Sequence, residues 1–483
     1  MRSIVRLSWV AVFMLALTGC ERYAQRPLQS EQILADVERM RRLPDAMSIN
    51  SVSQEAGSAI PKIEPVLFSF PRAVALMKNN SPTLKELRAE YDTVQALADV
   101  KTPLPNPTFE AGPLYGFGPK VSHLYRLQPF GSLGFTIPTG KRLQRQDELN
   151  CAMAELAYIE IQAKHRELYL ELRKDYTRLA LVKLRIDKRI ELAESAAKST
   201  SLTKKMIEAG FATELDAGLI ELEQLKLKTE VFTAKTEGVG VNGELSQMIG
   251  VHADNFSLLP SEMLPKLSET LPSLGELQKL LVNNHPELAR LRAKYEVAER
   301  GLHLELSKQY PDFKIGPKFE NERGERKTTI GLTLGIDLPI FDHNQQGIAS
   351  AKQRRDEIRI KYEAAANRTL AALDRAHANC KLSDEKLKFL ITVVAPRANG
   401  NIELARKAKD IGASDTLRFL ETERGQRTVL LDALDSELSL RNAWIELEQA
   451  VGYPLTTFPG EILSETPALE QTNGTIPPTM VKP

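Results

Sequence analysis

Hydrophobic positions along this chain fall into two rhythms, and the pair of rhythms occurs twice. The first has period two. Phe313, Ile315, Pro317 and Phe319 alternate with Asp312, Lys314, Gly316 and Lys318. After a charged turn at residues 320–327, Ile330, Leu332, Leu334, Ile336 and Leu338 alternate with Thr329, Gly331, Thr333, Gly335 and Asp337. This predicts two strands with one apolar face, each about 10 residues long, the length that crosses an outer membrane when tilted. A weaker hairpin is expected around residues 106–116 and 124–138. The second rhythm is helical. Residues 142–209 contain neither Gly nor Pro, enough for a helix of about 100 Å. Within it Leu172, Tyr176, Leu179, Val182, Ile186 and Ile190 step by three or four, as a packed stripe does. Gly210 stops that helix, and a return helix is expected at about 213–249. The second occurrence runs over about 345–411, Gly412, and about 414–451, with a kink expected near Pro396. Each unit opens with a helix of about 20 residues, with Pro82 or Pro286 in its first turn and Ser81 as N-cap in the first copy.

The two occurrences are copies. Residues 79–91 read NNSPTLKELRAEY and residues 283–295 read NNHPELARLRAKY. At the same spacing, Pro107-Thr108-Phe109 and Gly112-Pro113 match Pro311-Asp312-Phe313 and Gly316-Pro317. Leu133-Gly134 and Pro138 match Leu334-Gly335 and Pro339, Gly210 matches Gly412, and Gly250 matches Gly452. The chain is a tandem duplication of a unit of about 200 residues. The expected domains are a leader peptide at 1–20, a polar leader at 21–65, the first repeat at 66–250, a linker at 251–275, the second repeat at 276–454 and a disordered tail at 455–483.

Composition narrows the class. Lys and Arg total 64 against 63 Asp and Glu, a formal net charge of +1, which argues against a nucleic-acid binder. Aromatic residues make up only 6%, which suits long helices. Seven scattered histidines show no metal-ligand spacing. No phosphate loop or nucleophile elbow is present, so there is no case for an enzyme and no cofactor is expected. Residues 1–20 read as an export signal, with Arg2 and Arg6 ahead of a short apolar run at 7–17. The ending Leu17-Thr18-Gly19-Cys20 resembles the bacterial lipobox. It implies a lipidated (palmitate-bearing) Cys20, and Glu21 after it favours the outer membrane of a Gram-negative bacterium. Cys151 and Cys380 are expected to be buried and inert.

The rest of the chain has no run long enough for a transmembrane helix. Four membrane-length strands cannot close, and open edges are not tolerated in lipid. Three copies would supply 12 strands, a plausible barrel, and long amphipathic hairpins need neighbours in the same way.

The duplicated unit resembles the TolC-like outer-membrane efflux protein family over about residues 65–455. The resemblance rests on the Asn-x-Pro-x-Leu openings, the Tyr310-Pro311 entry, the Leu338-Pro339-Ile340-Phe341 exit and the hairpin tip Gly210-Phe211-Ala212-Thr213-Glu214-Leu215-Asp216. It implies a mainly α fold with a small β part: a homotrimer whose 12-stranded β-barrel continues into an α-helical barrel. It also implies a periplasmic adaptor (membrane fusion) protein at the helix tips and an inner-membrane pump of the resistance-nodulation-division type. The exported compound would be a drug, a metal ion or another small molecule, with nucleic acid excluded. Gly210, Thr213, Asp216, Gly412, Ser414 and Asp415 are the implied adaptor contacts. The second tip departs from the pattern, with Asp415 in place of Thr213 and Arg418 in place of Asp216. Arg418 and Glu421 are the implied tunnel-entrance gate. The rival from another class is a lipid-tethered periplasmic coiled-coil adaptor that conducts nothing. Such a protein has no need of strands with a continuous apolar face.

Overall fold

The computed structural model describes residues 23, 25–41, 69–115, 127–208, 210, 213–252, 264–267, 270–322, 327–410 and 416–459. The chain divides into two units, Met1–Gly57 and Ser58–Pro483. In the first, one helix is described, α1 (Ser30–Arg41). Its Ile33, Leu34 and Val37 are exposed.

The second unit holds both repeats. The first repeat runs α2 (Phe70–Asn80), α3 (Pro82–Asp99), β1 (Thr108–Tyr115), β2 (Leu127–Ile137), α4 (Arg142–Glu208) and α5 (Glu214–Ile249). The second runs α6 (Leu274–Asn284), α7 (Pro286–Ser307), β3 (Phe313–Glu322), β4 (Lys327–Ile336), α8 (Gln345–Phe389), a π-helical segment (Leu390–Val394), α9 (Ala395–Asp410) and α10 (Thr416–Val451). The short helices α2 and α6 were not anticipated. Ser81 stands at the N-cap position of α3, but its side chain makes no capping bond. The cap that does form is at Ser273, where Ser273 and Glu276 bond reciprocally to open α6.

The duplication is visible at two pairs of backbone positions. Lys141 and Asn344, each just before a long helix, both have φ of 59°. Gly250 and Gly452 close the return helices with φ of 76° and 75°. A Cβ on Gly250 would strike the carbonyl of Asn80, and one on Gly452 would strike Cα of His285. Each return helix therefore ends against the start of its own repeat's second helix, α3 or α7.

α4 is continuous over 67 residues. Leu172, Tyr176, Leu179, Val182 and Ile186 are buried, as the stripe predicts, but Ile190 is exposed. The seam passes instead to Ala193 and Ala196. The step from Ile186 to Ala193 is a heptad, which keeps the seam on the partner as the helices supercoil. On the facing helix α5, Ile220, Leu227, Ala234, Val241 and Met248 are buried at the same seven-residue interval. The second long helix is interrupted just before Pro396. There the amide of Ala395 bonds the carbonyl of Leu390, five residues back. Pro396 has no N–H to continue the ladder, and the extra residue of the π turn absorbs the break.

All four strands form one antiparallel sheet in the order β1-β2-β3-β4. The central pairing, β2 with β3, joins the two repeats. Leu133 lies opposite Phe109, and Phe135 opposite Ile315. Phe313, Ile315, Pro317 and Phe319 lie opposite Ile336, Leu334, Leu332 and Ile330. One face is thus apolar across every strand. The other carries Glu110, Ser132, Lys314, Lys318, Glu320, Thr329 and Thr333 with several glycines. β1 and β4 are open edges.

Two corrections concern the core. Cys380 is buried in the cluster around Leu373, Leu440 and Trp444, and burial pushes its thiol up to about 12. Cys151 is exposed, although its neighbours Ala152 and Ala154 on α4 are buried. Residues 455–458, expected in the disordered tail, are packed. The Phe458 ring stacks on Phe70 with centroids 4.0 Å apart. The buried Glu448 accepts from the amides of Leu455 and Thr456 at 2.8 and 2.7 Å. Glu448 also pairs with the buried Arg173 of α4 (Nε to Oε2, 2.9 Å), and the Arg173 guanidinium lies 4.8 Å from the Phe458 ring centroid. Both charges are removed from water, and their hydrogen bonds offset the desolvation cost. The same C-terminal segment bridges to the linker at Lys266.

Candidate functional site

Two regions position the functional groups: the sheet and the ends of the helical hairpins. In the sheet, Ile330, Leu332 and Leu334 are 78%, 66% and 74% exposed. Three consecutive same-face positions this apolar and this bare on an edge strand would aggregate in water, but they suit a hydrocarbon contact. The polar side chains of the opposite face form their own pairs. Lys318 meets Glu320 at 3.6 Å. At the barrel–helix junction, Thr139 donates through its hydroxyl to the carbonyl of Pro311 at 2.6 Å. Arg142 at the start of α4 pairs with Asp312. These bonds tie the exit of β2 to the entry of β3. None of the described helices is long and apolar enough to cross a membrane.

At the first hairpin tip Gly210 adopts the left-handed conformation, φ 77°, and its amide bonds the carbonyl of Ile207 at 3.0 Å. Among the described residues, and its chain neighbours aside, nothing lies within 4 Å of a Cβ built there. Thr213 precedes α5, is exposed, and accepts from the amide of Ala217 through its carbonyl. Asp216 lies in the first turn of α5. Of the second tip, Gly412, Ser414 and Asp415 fall outside the described residues. So does Cys20. Arg418 lies in the first turn of α10, Glu421 follows it, and both are exposed. They line a groove of about 620 Å³ between the π segment and α10, with Val393, Arg397, Asn401 and Thr422. Arg418 has no ion pair among the described residues.

Sequence reasoning missed a ladder of charges leading away from the tips. Glu223, Glu230, Glu237 and Glu244 recur every seven residues on α5. Glu244 and Glu237 pair with Arg178 at 3.3 and 3.4 Å. Glu237 also pairs with Arg185 at 2.6 Å, and Glu230 with Arg189 at 2.9 Å. These arginines are on α4, so the rungs hold one hairpin together. The rung nearest the tip differs. Glu223 pairs with the buried Arg427 of α10 at 3.3 Å, and Arg427 also lies 3.4 Å from Glu423. That rung links the first hairpin to the second, beside a small core of Ala193, Ala196 and Leu227 against which Leu431 packs. The heptad of glutamates was the available signal.

Among the described residues, no group of three or more His, Cys, Asp or Glu is placed to hold a metal ion. His165 is half-buried, and its Nε2 is enclosed without a hydrogen-bond partner among the described residues. Its burial, then the nearby Lys78 and Arg166, lower its pKa to about 4.

Residues 277–453 match the model of the outer membrane efflux protein family. The chain is 25% identical over 289 residues to the cobalt-zinc-cadmium resistance protein CzcC of Cupriavidus metallidurans, covering 59% of this chain and 67% of that protein. Its fold is similar to that of the outer-membrane channel OprN, with a TM-score of 0.65 at 18% identity over 79% of this chain and 89% of that one. It is also similar to the CmeC outer membrane channel of Campylobacter jejuni, with a TM-score of 0.60 at 12% identity over 94% and 98% of the two chains. The duplicated strand hairpins, the single one-faced sheet and the paired long helices account for that likeness of fold.

Proposed function

We infer that the protein is the outer-membrane channel of a tripartite efflux system, a passive duct that gives exit to compounds delivered by an inner-membrane pump. The observation that carries this reading is the four-stranded sheet, apolar over one face and open at both edges. Such a sheet is stable in lipid only when further copies close it. Three chains supply the 12 strands of a barrel, so the functional unit is a homotrimer. Cys20 carries a lipid that anchors the chain to the outer membrane. The hairpin tips meet a periplasmic adaptor, which connects to a pump of the resistance-nodulation-division type. The chain supplies walls and a gate, and the pump supplies energy and most of the substrate choice.

Similarity to a cobalt-zinc-cadmium resistance protein makes divalent transition-metal cations the first cargo to test. These ions are cargo. Growth of a deletion strain on cobalt, zinc or cadmium, against growth on a cationic dye, separates metal from drug export.

The assembly is tested by the molar mass of the detergent-extracted protein, from light scattering with the detergent subtracted. A trimer in the outer-membrane fraction is expected. A monomer released without detergent after Cys20→Ser would overturn the barrel and leave the tethered coiled coil. Leu334→Asp, at a bare position of β4, is expected to abolish membrane assembly, since a carboxylate on the lipid face is unfavourable in every copy, by somewhat less than the ~2–4 kcal/mol of Arg or Lys at the bilayer midplane.

A further inference from the structure

The buried pair of Arg173 and Glu448 joins the two repeats, and the duplication shows what each position holds in the other copy. Lys141 and Asn344 precede the two long helices with the same φ of 59°. Arg173 is 32 residues beyond Lys141, and Ala376 is 32 residues beyond Asn344. At the ends of the return helices, the amides of Gly250 and Gly452 bond the carbonyls of Ser246 and Glu448. Ala376 is therefore the counterpart of Arg173, and Ser246 the counterpart of Glu448. All four positions are buried. Where one repeat carries a charge, the other carries a small neutral residue.

The two charges are closely matched. Arg173 donates through Nε to Oε2 of Glu448 at 2.9 Å and through Nη2 to Oε1 at 3.1 Å. Nη2 also reaches the carbonyl and the hydroxyl of Thr456 at 2.6 and 2.9 Å. That hydroxyl donates to Oε1 of Glu448 at 2.7 Å. Ser246 needs no such partner, because its hydroxyl donates to the carbonyl of Val251 in its own repeat. The match is selective. A return helix bearing Ser at this position would leave the Arg173 guanidinium buried without a carboxylate. A long helix bearing Ala would leave Glu448 buried without a cation. A buried charge that loses its partner is strongly destabilising, whereas replacing both charges together is often neutral. The pair thus contributes little by being present and much by being matched. Buried polar groups elsewhere fix which helices associate in this way.

We propose that Arg173 and Glu448 are the order mark of the duplicated chain: they admit the return helix of the second repeat against the long helix of the first, and reject pairing of like repeats. Such mispairing is open to this chain because both repeats build a hairpin of the same kind from a long helix and a return helix of 36 residues. Thr456 closes the site from the C-terminal side. The contact lies within one chain, so the inference goes beyond the channel reading and is tested apart from it.

The test is a double-mutant cycle in the full-length chain: Arg173→Met, Glu448→Gln and the two together. Met and Gln keep the side-chain volume, and Gln keeps an acceptor for the amides of Leu455 and Thr456. Unfolding temperature is followed by circular dichroism, and the distribution of masses by light scattering. Each single variant is expected to unfold at a lower temperature than the parent. The double variant is expected to recover most of that loss, yet to give several masses where the parent gives one, since pairing of like repeats is no longer penalised. Recovery with a single mass overturns the inference. So do single variants as stable as the parent, or a double variant no more stable than the worse single one. If the single variants fail to accumulate, the masses of the double variant against the parent decide by themselves. The number of copies in the parent mass tests the channel reading separately.

Discussion

Gly316 sits in β3 against β2. A Cβ there would overlap the carbonyl of Leu133, and the next residue, Pro317, has no N–H to give the ladder. Gly316→Ala must therefore push the two strands apart at the pairing that joins the repeats. The expected result is loss of assembled trimer from the outer membrane, with helix content retained by circular dichroism. Gly331, with open space around its Cβ position, should accept Ala with little effect. Asp175 gives a second residue-scale prediction. It is buried in α4. That burial, followed by the like charges of Glu244 and Glu171, pushes its carboxyl up to about 7 against the weaker pull of Lys174 and Arg178. In the unfolded chain the group ionises near ~3.9. Between those values the folded state holds a proton that the unfolded state has lost, so stability falls as pH rises through the window. Asp175→Asn should match the parent below about pH 4 and be more stable at about pH 8, by at most about 4 kcal/mol at ~1.4 kcal/mol per pKa unit. Thermal unfolding at the two pH values checks it.

At the scale of elements, the tip-proximal rung differs from the others in what it joins. Arg178, Arg185 and Arg189 reach glutamates of the same hairpin and are partly exposed. Exposed pairs of this kind contribute about 0–1 kcal/mol each. Arg427 is buried and reaches across to Glu223. Removing the Glu223 carboxylate leaves Arg427 paired only with Glu423 of its own helix, so the link between hairpins is lost at a cost below the ~3–5 kcal/mol of stranding a buried cation altogether. Glu223→Gln should therefore loosen the two hairpins near the entrance and raise single-channel conductance, whereas Glu230→Gln should leave it near the parent value. The long helices and their return partners were legible because Gly and Pro are absent over 142–209 and reappear at Gly210. The strand rhythm in the second copy was equally plain. The form of the break at Pro396 was not. Proline shows that a ladder bond is lost, while the choice of a π turn upstream depends on packing against α10. Cys151 went wrong for a related reason: residue type says little about which way a helix position faces. The ladder was written as a heptad of glutamates, but their partners lie some 40 to 200 residues away. The tail boundary failed because Phe458 is one aromatic in a polar stretch, and only the ring of Phe70 gives it a place.

At the scale of the whole molecule, closure is the common requirement. The sheet leaves β1 and β4 unpaired, and the helix layer leaves α5 and α8 with bare apolar stripes. Trimer formation should therefore be cooperative between membrane and periplasmic parts. Leu334→Asp, placed in the sheet and far in sequence from the hairpin tips, should therefore leave a monomeric mass by light scattering, helices included. A trimeric mass for soluble Leu334→Asp protein would show that the helices associate without the barrel.

The pairing of β2 with β3 has an ancestral reading. A single copy of the repeat would present one strand hairpin and one helical hairpin, and a barrel of the same size would need six of them. Fusion halves the number of separate chains and frees the two copies to differ. They have done so: α4 runs unbroken, while its counterpart carries a π turn and a proline. A ring of three such chains is six staves of alternating kind. A ligand that grips the rim meets two unlike clefts in turn, so binding in threes and binding in sixes become chemically distinct choices, made by how far the copies have drifted apart.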